Sequence, residues 1–248
     1  MRIAAIYDIH GNLPALEAVI QDILQASVDR IVIGGDVLPG PMPRETLGCL
    51  LGLGVPTQFI YGNGETAVLE VIAGREPAAV PEQYRPLIRW TAQQLPENYK
   101  SMIANWPATV LLEVGELGRV LFCHATPRND NEIFTRLTPE EHLLPIFASL
   151  NADIVVLGHT HVQFDRMVGK TRVVNAGSVG MPFGRLGADW LLLGPDVQLR
   201  HSSYDLSNAA ERVRKTDYPQ AEEFATRHVL QTPSEEEMLA AFAKVELK

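Results

Sequence analysis

Cysteine is scarce. The 248-residue chain holds two, Cys49 and Cys123, and no Cys-x-x-Cys pair. That excludes a thiolate zinc site and a dithiol redox motif. Both lie in apolar stretches and read as buried thiols of a reducing compartment. Long apolar runs are missing too: none approaches the ~20 residues that span a bilayer. The opening "MRIAAIYDIHGN" is cut off by Asp8 and reads as a strand, not a leader peptide. The expected location is cytoplasmic, with no membrane partner. Positive charge is short, with 21 Lys and Arg against 30 Asp and Glu, a net −9. Such a surface argues against non-specific nucleic-acid binding. The composition is 46% hydrophobic and 21% charged, that of an ordinary globular protein with a real core.

The first third alternates strand and helix. Residues 2–7 read as a strand, and "NLPALEAVIQDILQA" as a helix capped by Asn12, with Leu13, Leu16, Val19, Ile20, Ile23 and Leu24 at helical spacing. "RIVIGGD" and "PTQFIYGN" are further strands, followed by helices over 43–53 and 65–73. This order builds a parallel sheet with right-handed crossovers. Residues 76–107, punctuated by five prolines, read as a helical insertion. Paired strands follow Pro107, with a helix near 138–149 and the strand "DIVVLGHTH" among them. The expected sum is an α/β sandwich with one mostly parallel sheet, one more antiparallel sheet and helices outside. Residues 1–205 form its main domain, and 206–248 a helical extension packed on it.

The unusual polar residues share one position, the C-terminal end of a strand. Asp8 and His10 follow the first, Asp36 the second and Asn63 the third; His124 follows "VLFC", and His159 and His161 follow "IVVLG". Ligands bind at such ends in open α/β sheets. Singly, each residue has a plainer explanation: a capping carboxylate, a buried histidine, a turn asparagine. Jointly, seven of them on one rim do not. His142, His201 and His228 lack that setting and read as surface or structural residues. Imidazole and carboxylate without thiolate suit Mn, Fe, Co, Ni or Zn. Seven ligands are too many for one tetrahedral zinc and suit two metals sharing a bridging carboxylate. Alternation along an extended segment is expected to put both side chains of Asp-x-His, and of His-x-His, on one side.

The set Asp8-x-His10, Gly35-Asp36, Gly62-Asn63-x-Glu65, His124 and "GHTH" (158–161) resembles the calcineurin-like metallophosphoesterases, and within them the compact branch around the YfcE-type phosphodiesterases. The likeness spans roughly residues 1–200, and "NAGSVGMP" (175–182) resembles the loop after GHTH in that branch. The resemblance implies a four-layer αββα sandwich with two mixed β-sheets. It implies two divalent metal ions, manganese foremost, with Fe, Ni, Co or Zn as alternatives. Asp8, His10 and His161 would hold one, Asn63, His124 and His159 the other, and Asp36 would bridge them. Asp36, Asn63 and His159 are the candidate catalytic residues. The implied reaction is attack of a hydroxide bridging the two metals on a phosphodiester, nucleotide or phosphoanhydride bond.

Many members of that family read Gly-Asn-His, and the histidine protonates the leaving group. Here Gly64 fills the slot, and a general acid is typically worth ~10²–10⁴-fold. Its absence favours diesters or good leaving groups over alkyl monoesters. Asn12, Arg128 and Arg185 are candidates to act near the leaving group or, with Asn63, to bind substrate. Glu65 is read as a helix-start residue. The expected partner is a phosphorylated small molecule or nucleotide, and the oligomeric state stays open. The alternative is a non-catalytic, metal-binding interaction protein on the same fold.

Overall fold

The computed structural model describes residues 1–247. Two five-stranded sheets lie face to face. The first has the order β10-β9-β1-β2-β3, built from β1 (Ile3–Ile6), β2 (Arg30–Ile33), β3 (Thr57–Phe59), β9 (Ala188–Leu193) and β10 (Val197–Ser202). The second has the order β4-β5-β6-β8-β7, built from β4 (Thr109–Glu113), β5 (Arg119–Cys123), β6 (Ile154–Leu157), β7 (Phe164–Val168) and β8 (Thr171–Asn175). The sheets are equally mixed, as the family resemblance implied, where the element order alone suggested one mostly parallel and one more antiparallel. In the first, β1–β2 and β2–β3 are parallel while β1–β9 and β9–β10 are antiparallel. The reason is the hairpin "ADWLLLGPDVQLRHS": it returns to the free edge of β1 instead of extending the second sheet.

Strand β1 shows how the layers arise. It is buried throughout, so its apolar run is continuous. Ile3, Ala5 and Tyr7 point into the core between the sheets, beside Val32, Phe122, Val156 and Leu191. Ala4 and Ile6 point to the other side, under Leu16, Val19 and Ile23 of helix α1 (Leu13–Ala26). Each such buried aliphatic side chain contributes about 1.5–3 kcal/mol of transfer free energy. Helices α2 (Pro43–Leu51) and α3 (Asn63–Ile72) join α1 on that outer layer through Leu47, Leu50 and Val68. On the far face, Leu143, Ile146 and Phe147 of α6 (Glu140–Phe147) cover Val155, Leu157 and Val173. The result is four layers, αββα.

The insertion forms α4 (Arg85–Gln94) and α5 (Glu97–Ile103). The C-terminal segment forms α7 (Leu206–Arg214), α8 (Ala221–Phe224), a π-helical stretch Ala225–Leu230 and α9 (Glu235–Phe242). Leu87 and Trp90 of the insertion share one apolar cluster with Val213, Tyr218, Phe224 and Val229 of the C-terminal segment. Arg212 also pairs with Glu17 of α1 at 2.6 Å. Among the described residues, no helix is long and apolar enough to cross a membrane.

Candidate metal centre

All seven rim residues converge. The loops after β1 and β2 are zipped together by backbone bonds from Asp8 N to Gly35 O (3.1 Å), His10 N to Asp36 O (2.9 Å) and Gly11 N to Val37 O (2.9 Å). The loops after β5 and β6 join through Gly158 N to His124 O (2.9 Å). Asp8 is clamped from the "NAGSVGMP" segment, whose Gly180 N and Ser178 hydroxyl both donate to its carbonyl.

The backbone here is strained. Asp8, His10, Asp36, His159 and His161 all have positive φ, between 47° and 67°. Each such non-glycine residue costs about 1–3 kcal/mol and persists only where its surroundings fix it. Ser27, at the end of α1, is the one other described non-glycine residue with positive φ. The paired residues therefore do not reach the centre by alternation along an extended strand, as their spacing suggested. The chain has left the sheet, and left-handed turns swing each side chain inward.

At the centre, Asp8 Oδ1 lies 3.3 Å from His161 Nε2 and 3.9 Å from both His10 Nε2 and His124 Nε2. Asp36 sends Oδ2 to within 3.8 Å of His10 Nε2 and Oδ1 to within 3.5 Å of His124 Nε2. The Nε2 atoms of His10 and His161 are 3.2 Å apart, and Asn63 Oδ1 is 3.0 Å from His124 Nε2. Two groups have the compactness a metal ion needs: Asp8, His10 and His161, and Asp8, Asp36 and His124. Asp8 belongs to both and Asp36 to one, so the residue these two groups share is Asp8 and not the expected Asp36.

The tautomers follow from the outer bonds. His124 Nδ1 lies 3.0 Å from Gly34 O, and His161 Nδ1 lies 2.9 Å from Met181 O. A carbonyl only accepts, so both Nδ1 atoms carry the hydrogen. The Nε2 atom of each ring is thereby left facing the centre. Burial foremost pushes His10 and His159 down to about 3, which keeps those two neutral. Burial raises the Asp8 carboxyl, but the imidazoles around it, His161 foremost, outweigh that and hold Asp8 below its usual range. Burial and the Asp8 charge push Asp36 well up, opposed by a bond from Gly64 N.

Around Asp8 and His124 acceptors face acceptors. His161 Nε2 confronts Asp8 Oδ1, and His124 Nε2 confronts Asn63 Oδ1. Asp8 Oδ1 and His159 Nε2 are buried with no hydrogen-bond partner. Lone pairs so arranged repel one another unless a cation lies among them. The donor set, imidazole nitrogen with carboxylate and amide oxygen, fits a borderline divalent ion.

Three residues carry a different load from that expected. Asn12 is fully buried and spent on structure: Oδ1 caps α1 at Ala15 N, and Nδ2 donates to Gly180 O at 2.9 Å. Arg128 is bonded to Glu132 at 2.7 Å, and Arg185 to Asp189 at 2.6 Å and Gln163 at 2.8 Å. Asn12 is thus held in the fold, and each arginine shares a partly exposed ion pair with a carboxylate four residues on.

Glu65 does more than start a helix. It is fully buried, and its carboxylate accepts from Asp36 N (2.8 Å), Gly62 N (2.8 Å) and Leu38 N (2.9 Å). It braces the Asp36 loop and the Asn63 turn together. His228 is not simply peripheral: it lines the same cavity as His10. Its signal in the sequence was nil, because it comes from a distant helical segment. Gly64 has a physical reason as well. A Cβ there would stand 2.1 Å from Leu38 O and 2.9 Å from Asp36 Oδ1. The Leu38 carbonyl fills the space through which a side chain at 64 would leave the helix. Cys123 is buried as expected, and Cys49 only half so.

Comparison with known proteins agrees with this geometry. Residues 1–193 match the calcineurin-like phosphoesterase superfamily domain. An uncharacterized protein of Methanocaldococcus jannaschii is 26% identical over 240 residues, covering 88% of this chain and 94% of that one. The crystal structure of a metallophosphoesterase from Sphaerobacter thermophilus superposes with a TM-score of 0.73 at 25% identity, covering 92% of this chain and 97% of that one. YfcE, a phosphoesterase from E. coli, shares the fold, with a TM-score of 0.50 at 20% identity over 83% of this chain and all of YfcE. With the fold, the seven converging residues and the match over most of its length, the chain belongs to the calcineurin-like phosphoesterase superfamily.

Proposed function

We propose that this protein is a dinuclear metal-dependent phosphoesterase that prefers phosphodiester, nucleotide or phosphoanhydride bonds to alkyl monoesters. The observation that carries the reading is that Asp8 Oδ1 and His159 Nε2 are buried and unpartnered in the middle of a metal-type donor set. Asp8, His10 and His161 would hold one divalent ion, Asn63, His124 and His159 a second, with Asp36 shared. Manganese is the first ion to try. When bound, such ions supply Lewis acidity to a phosphoryl oxygen and make a water acidic enough to attack.

The chain's own residues do the rest. Gly34 O and Met181 O hold the ring hydrogens of His124 and His161 outward, so their Nε2 atoms stay inward. Gly64 N donates to Asp36 Oδ1 at 2.7 Å and fixes that carboxylate's rotation. The Asn63 amide nitrogen is suited to donate to a phosphate oxygen. With glycine at 64 and the Leu38 carbonyl beside it, no side chain there can hand a proton to a leaving group. That supports substrates whose leaving group departs without one.

The test compares a p-nitrophenyl phosphodiester with the matching monoester, with Mn²⁺ and with chelator, beside an Asp36→Asn control. The expected result is Mn-dependent turnover favouring the diester and lost in the control. Faster monoester turnover overturns the diester preference. No turnover of either substrate by metal-loaded protein overturns the hydrolase reading.

A further inference from the structure

A cavity of about 430 Å³ opens directly onto His10. That is within the ~300–1,000 Å³ range of sites that enclose a small organic ligand. Its walls come from three separate parts of the chain. Tyr84 and Leu87 belong to the insertion, Met181 and Phe183 to the loop after "NAGS", and Phe224 and Met238 to the C-terminal helices. Residues from 194 onward lie outside the segment that matches the superfamily. The C-terminal wall of the cavity therefore comes from outside the matched segment, and the remaining lining from within it.

Its chemistry is apolar with a polar edge. The Phe183 ring stacks on His161, with centroids 5.1 Å apart and planes 24° apart, so an aromatic surface runs from a candidate ligand into the cavity. Tyr84, Tyr218 and Phe224 add three more rings to the lining. Gln220, Arg227 and His228 supply donors and acceptors along one side. Arg227 is tied to Glu223 at 3.5 Å, so the charges there largely balance. A wall of rings with hydrogen-bonding groups at its margin suits a flat heteroaromatic ring. A long acyl chain would leave the polar edge unpaired.

Resting on the phosphoesterase reading above, we propose that this cavity holds the nucleobase of a nucleoside phosphoester while the phosphate sits at the metal centre. The substituent on phosphorus is then selected by the insertion and the C-terminal helices, and the bond is broken by the core.

The test separates the cavity from the chemistry by using an uncharged probe. Adenosine has no phosphate and needs no metal. It is expected to bind the full chain with a Kd on the order of 0.1–1 mM, by the efficiency of ligands its size, whereas ribose does not. Tyr84 is 44% exposed and Met238 half-buried, so Tyr84→Ala and Met238→Asp leave the core intact. Both are expected to weaken adenosine by about tenfold or more, with melting temperatures confirming the fold. Adenosine binding no better than ribose overturns the proposal, as does adenosine affinity unmoved by Met238→Asp. Displacement of adenosine by decanol at lower concentration assigns the cavity to an aliphatic chain and overturns it too. Turnover of p-nitrophenyl substrates is scored separately. Adenosine binding without any turnover sinks the hydrolase reading alone, and turnover without adenosine binding sinks this one alone.

Discussion

Replacing Gly64 by alanine sets two effects of opposite sign against each other. Gly64 is the second residue of α3, where glycine is the worse helix former by about 1 kcal/mol. On propensity alone, Ala stabilises. The local geometry says otherwise. The new Cβ would lie 2.1 Å from Leu38 O and 2.9 Å from Asp36 Oδ1, so the backbone must yield by roughly an ångström. Overpacking of that kind costs about 1–3 kcal/mol. The shift also pulls Gly64 N from Asp36 Oδ1, a buried bond of 2.7 Å to a carboxylate, worth about 1.5–3 kcal/mol. The net is about 2–5 kcal/mol of destabilisation, or ~4–20 °C for a chain of this size. Thermal and urea melts of both proteins with chelator read it. Gly64→His, which restores the residue common in the family, is expected to suffer the same clash and to gain no monoesterase activity. A Gly64→Ala protein as stable as its parent would refute the close-approach reasoning, and a Gly64→His protein with raised monoester turnover would refute the reading of Leu38 as a block.

Glu65→Ala leaves three buried N–H groups unpaired, at about 1–3 kcal/mol each. It should unfold at clearly lower urea than Glu65→Gln, which keeps an acceptor for part of the set. Chelation should lower the melting temperature: at metal a thousandfold above its Kd, binding adds about 4 kcal/mol, or ~8–16 °C. Asp8→Asn should abolish most of that difference. In chelated protein, burial foremost, with His161 and Arg227 nearby, holds His228 at about 4 against an ordinary 6.5. A depressed histidine contributes stability that is whole above 6.5 and lost as pH falls toward 4, by about 2–3 kcal/mol. His228→Gln should flatten that part of the stability profile, and an unchanged profile would place the acid sensitivity elsewhere.

The layers were legible because each strand of the core is a short apolar run that ends on a polar residue. The helix α1 was legible because Asn12, Pro14 and a clean 3.6-residue period agree. What local pattern could not give was the partner of β9. Its six residues "ADWLLL" are wholly buried, so they carry no alternation to say which sheet they join. The tally of parallel against antiparallel strands went wrong there for that reason. The Arg candidates show a different limit. Arg128 and Arg185 sit four residues before Glu132 and Asp189, and that spacing already offered each a carboxylate partner. A charge beside a motif is more often balanced by its neighbour than kept for a ligand.

The seven rim residues were found by position, yet the geometry that makes them a site is absent from their one-letter pattern. Nothing in Asp-x-His says that both residues turn left-handed, because no local preference of Asp or His pays for it. The conformation is imposed by Gly180 N and Ser178, some 170 residues away, closing on the Asp8 carbonyl. The same holds for selection of substrate. Tyr84, Phe183 and Met238 lie in three segments with no shared motif, and only the closed fold puts them around one cavity beside His10. Chemistry that depends on donor type is written at single positions and can be read there. Strain and selectivity depend on contacts between distant segments, so substitution at Ser178 should test the link between them. Ser178→Ala removes one of the two bonds to the Asp8 carbonyl and the acceptor of Met181 N at 2.8 Å. Asp8 would then relax from φ 53°, and metal affinity should fall by about tenfold or more although no ligand has been touched. Unchanged metal affinity in a folded Ser178→Ala protein would mean that the loops after β1 and β2 hold the strain unaided.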